Sequence, residues 1–142
     1  MRLQKRGGKI IKRNVNTMKE KITQTAGRTQ LGEFAPMFAY LNDDVLFGEV
    51  WNEEAIDVKT KCIITVVALM SSGITDSSLT HHLQNAKAHG VTKAEIAAIV
   101  THAAMYVGWP KAWAVFRQAK KIWNETETGK TGKDGWGKCS ES

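Results

Sequence analysis

The chain has 142 residues, 42% of them hydrophobic and only two of them proline, which suits one compact domain that buries about two-thirds of its surface. Its formal charge of +6 is concentrated in residues 1–21, where eight lysines and arginines face Glu20 alone, leaving 12 positive against 13 negative charges elsewhere. A nearly neutral body argues against a basic face for specific nucleic-acid binding, although the tail can touch anionic surfaces non-specifically.

The N-terminal stretch MRLQKRGGKIIKRNVNTMKEK lacks the roughly 7–15-residue apolar run of a secretory signal, and residues 1–20 read as a basic, mobile extension. Gly7-Gly8 lies within it, with no strand before and no capped helix after, so it is no phosphate loop. A helical domain is expected over 21–124. Pro36 suits a first helical turn, and PMFAYLNDDVLFGEVW then spaces Phe38, Leu41, Val45 and Leu46 along one side, with Asn42-Asp43 as a possible break. Asp57 can cap VKTKCIITVVALMSS, whose apolar centre predicts a helix buried on most of its circumference. CIITVVAL is β-branched enough to be a buried strand instead, but the Asp start, Lys59 and Lys61 in the first turn and the Gly73 stop favour helix.

Gly73-Ile74-Thr75 opens a polar helix, DSSLTHHLQNAKAH, which stops at Gly90, a residue suited to a left-handed cap. Thr92-Lys93-Ala94-Glu95 fits a capping box ahead of IAAIVTHAAMYV, which ends at Gly108. Pro110 begins the last helix, carrying Trp113, Phe116 and Trp123. Residues 125–142 are rich in Gly, Lys and Ser and read as a mobile tail. The fold expectation is all-α, a single domain of about six helices with short loops. The longest apolar run, IITVVALM, contains Thr65 and is far below the ~20 residues of a membrane helix. Cys62 and Cys139 form no disulfide framework, which points to a reducing, cytoplasmic setting.

LFGEVW at 46–51, LMSSGITDSSLTHHLQNAKAHGVTKAEIAAIV at 69–100 and AAMYVGWPKAW at 103–113 resemble the carboxymuconolactone decarboxylase family, a branch of the alkyl hydroperoxidase D-like superfamily. The resemblance runs from about Leu31 to Trp123 and implies an all-helical fold assembled into trimers and commonly hexamers. Redox members of the superfamily place a Cys-x-x-Cys pair ahead of a histidine, with Ala four and Gly eight residues after it. His82, Ala86 and Gly90 meet that register, whereas the cysteine positions fall on Thr75 and Ser78. Hydroxyls cannot replace an attacking thiolate and a resolving thiol, so thiol-dependent peroxidase or peroxiredoxin-like activity is disfavoured.

The resemblance implies instead cofactor-independent loss of CO2 from a carboxylated lactone or a similar small acid in aromatic catabolism. Imidazole titrates near neutrality, which suits His82 to general acid/base work, with Glu49 of the family FGE motif orienting or recharging it. His102 and Tyr106, one turn apart on a helix the family places near the site, with Trp51 and Lys61, are candidate substrate-binding residues. The family's arginine-like position is here Lys61, which lacks the bidentate fork and leaves the particular lactone open. His81 and His89 read as surface residues. No metal is expected: no His-x-x-x-His pair occurs, and Asp76 lies across the helix from His82. Trp51, Trp109, Trp113 and Trp123 read as core and subunit interface rather than a base-stacking platform. A non-catalytic oligomeric small-ligand binding protein is the other class this fold could serve.

Overall fold

The computed structural model describes residues 20–125, so the basic extension before Glu20 and the tail with Cys139 lie outside the described residues. Six α-helices follow in order: α1 Ala26–Leu31, α2 Pro36–Tyr40, α3 Val58–Ser71, α4 Ser77–Ala88, α5 Lys93–Val107 and α6 Trp109–Asn124. Between α2 and α3 the chain winds as a π-helical turn, Leu41–Phe47, and a single 3-10 turn, Val50–Asn52. Among the described residues there is no strand. The fold is all-α, as the punctuation predicts.

The caps explain the boundaries. The Asp57 carboxylate accepts the Thr60 N–H at 2.7 Å and opens α3, which resolves CIITVVAL as helix. Asp76 accepts the Ser78 N–H at 2.9 Å at the start of α4. Thr92 and Glu95 form the reciprocal capping box of α5, each side chain taking the other's backbone N–H. Gly73, Gly90 and Gly108 close α3, α4 and α5 with φ of 72°, 92° and 105°, where a side chain would be strained.

Helix α3 packs on α4 and α5 on α6, and α4 also lies against α6. Val66 and Met70 of α3, Leu79 and Leu83 of α4, Val100 of α5 and Val115 of α6 are fully buried between them. Trp123 closes one end, its indole N–H donating to the Val91 carbonyl at 2.9 Å. Helix α3 is less enclosed than its composition predicts: Cys62, Val66 and Met70 form the buried stripe, while Ile64 is about half exposed.

The α2 region departs further from expectation. Phe38, Leu41 and Leu46 are exposed, and Ala39, Asp43 and Phe47 face inward instead. The wider π winding, with its extra residue per turn, rotates the face after Tyr40 and carries Asp43 into the interior. There the carboxylate accepts the Gly27 and Arg28 N–H groups, both at 2.9 Å, and the Asn42 amide at 2.9 Å. Burial alone would raise this carboxyl, but the hydrogen bonds from Asn42, Arg28 and Gly27 prevail and hold it below its ordinary range. Asn52 ties the entering chain to the same region, accepting the Ile22 N–H at 2.8 Å and donating to the Ile22 and Phe47 carbonyls at 2.9 Å.

Among the described residues, exposed apolar side chains gather in places that include the following two. One includes Phe34, Met37, Phe38 and Leu41 around α2; the other includes Met105, Tyr106, Trp109 and Trp113 at the α5–α6 corner.

Candidate active site

The end of the π-helical turn, the 3-10 turn and the first half of α3 enclose a groove of about 520 Å³. Leu46, Val50, Ile56 and Ile64 make it mainly apolar, and Glu49, Glu53, Lys61 and Thr65 add polar groups. Three of the sequence-predicted residues, Glu49, Trp51 and Lys61, therefore share one groove. Their states differ. Glu49 is exposed, whereas Trp51 is a core residue stacked on Phe47 with ring centroids 6.0 Å apart. The Lys61 ammonium donates to the Val50 and Trp51 carbonyls at 3.1 Å each and to the Glu53 carbonyl. Its three protons already have three acceptors, so the lysine secures the open end of the 3-10 turn while its charge faces the groove.

His82 does not line this groove. It lies on α4 beside His81, ring centroids 5.4 Å apart and nearly perpendicular, and its Nδ1 is sealed from solvent without a hydrogen-bond partner. Burial, and then the neighbouring His81, push its pKa down to about 4; burial lowers His81 as well. At neutral pH both rings are uncharged, and a neutral imidazole is a proton acceptor. Neither His81 nor His89 is a plain surface residue: both are half-buried, and the His89 ring is 2.8 Å from the Asn85 carbonyl through Nδ1. His102 and Tyr106 form a separate ring pair, 5.4 Å apart on the exposed side of α5, and neither lines the groove. Within one chain the predicted site residues thus fall into three groups.

The depressed His82 pKa has a consequence for stability. Its unfolded value is near 6.5, so as pH falls below that the unfolded chain takes up the proton first and stability declines until about pH 4. A shift of this size corresponds to roughly 3 kcal/mol, reduced to about 1–2 kcal/mol because water screens a half-buried ring. Denaturant melts at pH 7.5 and 4.5 are expected to show this loss in the wild type and a smaller one in His82→Gln. Equal losses in the two proteins would refute it.

The positions that hold thiols in redox relatives carry none. Ser78 is exposed in the first turn of α4, and the Thr75 carbonyl accepts the Gln118 amide at 2.6 Å. The same Gln118 accepts the Thr80 hydroxyl at 2.6 Å, which joins the α3–α4 turn to α6. Cys62 is 1% exposed and burial raises its thiol to about 11, so no thiolate forms there at neutral pH. Hydroperoxide consumption is therefore expected to be the same in wild type and in a Cys62→Ala, Cys139→Ala variant, as measured by a coupled peroxide assay.

Among the described residues, no group of three or more His, Cys, Asp or Glu side chains is placed to hold a metal, and no helix is long and apolar enough to cross a membrane. The described residues thus form an all-helical domain with a desolvated histidine on α4 and no thiol at Thr75 or Ser78. The sequence profile of the carboxymuconolactone decarboxylase family matches residues 36–121, and the chain belongs to that family. It is 27% identical over 95 residues to a 4-carboxymuconolactone decarboxylase of Acinetobacter baylyi, covering 67% of this chain and 70% of that protein. It is also 28% identical over 85 residues to an uncharacterized 15.0 kDa protein of Paracoccus denitrificans, covering 59% of this chain and 63% of the relative.

Proposed function

We propose that the chain is a cofactor-independent decarboxylase of a small carboxylated lactone or related acid, with His82 as its proton-transfer group and Glu49 as a residue that orients or recharges it. The observation that carries this reading is His82 itself, a desolvated neutral imidazole at the family's histidine register. In the reaction, the electron pair of the bond to CO2 moves into the conjugated carbonyl and leaves a dienolate. An anionic substrate beside the ring raises the imidazole's proton affinity, so His82 takes a proton from solvent on binding and returns it to carbon after CO2 departs. One carboxylate and one proton enter; CO2 and the protonated product leave. Apolar surroundings favour the first step, because they destabilise a localised carboxylate more than a spread dienolate. His102, Tyr106, Trp51 and Lys61 serve in substrate binding in this reading, with Lys61 contributing charge rather than free protons. A named relative that decarboxylates 4-carboxymuconolactone supports the reaction class.

One observation favours a second reading, a small-ligand binding protein without turnover. The groove beside Glu49 and Glu53 offers a dicarboxylate no lysine proton that is not already bonded. The two readings separate in one experiment: small acids and carboxylated lactones are screened for a rise in melting temperature, and the hits are assayed for CO2 release and loss of ultraviolet absorbance. Release of CO2 supports the decarboxylase; stabilisation without release supports the binding protein.

The apolar surfaces around α2 and at the α5–α6 corner underlie a further part of the proposal, assembly into a trimer or hexamer in the cytoplasm. Light scattering at micromolar concentration is expected to give three or six times the chain mass. Trp113→Lys, at a residue 58% exposed in the single chain, is expected to lower it. A monomeric wild type would refute the assembly.

A further inference from the structure

Asn85 is 1% exposed, yet only one end of its amide is satisfied. Its NH2 group lies 3.3 Å from His81 Nε2, and its oxygen is sealed from solvent without a partner. His82 Nδ1 is in the same condition. Asn85 stands four residues after His81 and three after His82, the two spacings that put side chains on one face of a helix. A buried amide oxygen without a donor is unfavourable, and an apolar side chain at this place in α4 would not carry that cost.

We infer that Asn85 is the positioning residue of the histidine pair: its NH2 donates to His81 Nε2, and its oxygen takes up the proton that His82 carries on Nδ1. The argument is one of proton placement. If His82 held its proton on Nε2, two lone pairs would be buried on one helix face, at Nδ1 and at the Asn85 oxygen, with no proton for either. A single proton on Nδ1 serves both, directly after a small side-chain rotation or through one bridging water. His81 is fixed by the same amide: its Nε2 accepts, so its own proton sits on Nδ1. Both rings are then held as the tautomer that is less populated in free histidine, and His82 presents the lone pair of its outer nitrogen, Nε2. If His82 is the proton-transfer group proposed above, Nε2 is the atom that exchanges the proton with substrate. The inference rests on that reading for the atom's use, while the tautomer itself stands apart from any substrate.

The test is a long-range proton–nitrogen correlation spectrum of the full chain labelled with 15N-histidine at pH 7.5, assigned with His81→Gln and His82→Gln. In the wild type, His81 and His82 are expected in the Nδ1–H form. In Asn85→Leu, which removes both ends of the amide and keeps its branched outline, both rings are expected to shift toward the Nε2–H form that dominates in free histidine. An Nε2–H His82 in the wild type would overturn the inference, and that measurement needs no variant. An Nε2–H His81 would also overturn it, since the Asn85 amide would then be turned round with its oxygen on His81. Tautomers unchanged in folded Asn85→Leu would do the same. Failure to find a decarboxylation substrate leaves all of these readouts standing, so the two proposals fail separately.

Discussion

Replacing His82 with alanine is expected to lower decarboxylation by about a hundredfold to ten-thousandfold, the usual worth of a positioned acid/base group. The loss should appear mainly in kcat, because the dienolate left by CO2 then lacks its proton donor; the imidazolium formed on binding also pairs with the substrate anion, so a smaller rise in KM accompanies it. Glu49→Gln separates the two roles open to that carboxylate. A mild loss means that it orients the ring or the substrate, and a loss comparable to His82→Ala means that it relays the proton. Glu49 is exposed and lines the groove, whereas His82 does not line it, so a relay requires closure between α4 and the 3-10 turn, or a neighbouring copy. Folding should be preserved in both variants. The assay is CO2 release with ultraviolet detection on carboxylated lactones; turnover that survives His82→Ala would remove this residue from the mechanism and leave the family membership untouched.

Much of the fold was legible because its signals are local. Asp57, the Thr92–Glu95 box, Gly73, Gly90 and Pro110 each act within a turn of where they stand, and all of them mark helix ends in the structure. Helix α1 was not legible for the opposite reason. AGRTQL has no side-chain cap at Thr25; the Gln24 side chain accepts the Ala26 N–H, but the Gly27 and Arg28 N–H groups are satisfied by Asp43, some fifteen residues on. The same distant partner explains the misread face of α2: Phe38, Leu41 and Leu46 share a side at α-helical period, but the π-helical winding changes that period midway. An acidic residue between an aromatic run and a leucine-phenylalanine pair was the available clue, and it reads equally well as a simple break.

The candidate site was half legible. Residue types and register single out His82 and Glu49, but burial decides what each can do, and burial is a tertiary quantity. His81 looked like a surface neighbour and is a half-buried ring bonded to Asn85, a residue that periodicity alone assigns to nothing. Lys61 reads from the sequence as a candidate substrate-binding residue, and its ammonium is bonded to three carbonyls that arrive from the 3-10 turn and the residue after it. Neither arrangement has a sequence signature, since backbone carbonyls carry no residue identity.

Asp43 also sets the largest expected effect on stability. Asp43→Ala removes the acceptors of the Gly27 and Arg28 N–H groups and leaves the first buried and the second part-buried without partners, at about 1–3 kcal/mol for each orphaned group. Together with the lost Asn42 bond, roughly 3 kcal/mol is expected, since relaxation and entering water recover part of the sum. Asp43→Asn should cost less, because one amide oxygen can still accept. Gly27→Ala probes the same contact from the other side: a methyl there would stand 2.6 Å from the Asp43 carboxylate and 2.9 Å from the Ala39 carbonyl, so α1 must move away. Because the carboxyl is held below its ordinary range, its contribution is complete above about pH 3.9 and disappears as pH falls through the lower folded value, a window below that of His82. Urea melts should therefore rank Asp43→Ala below Asp43→Asn at neutral pH; in strong acid the wild type should fall toward both variants, while the gap between the two, neither of which titrates at position 43, stays as it is. The π-helical turn that carries Asp43 leads directly to Leu46 and Glu49 at the groove, so Asp43→Ala should also weaken whatever the groove binds. A neutral-pH stability within 0.5 kcal/mol of wild type for Asp43→Ala would mean that water satisfies the α1 amides as well as the carboxylate does, and that the π winding is held by something other than this bond.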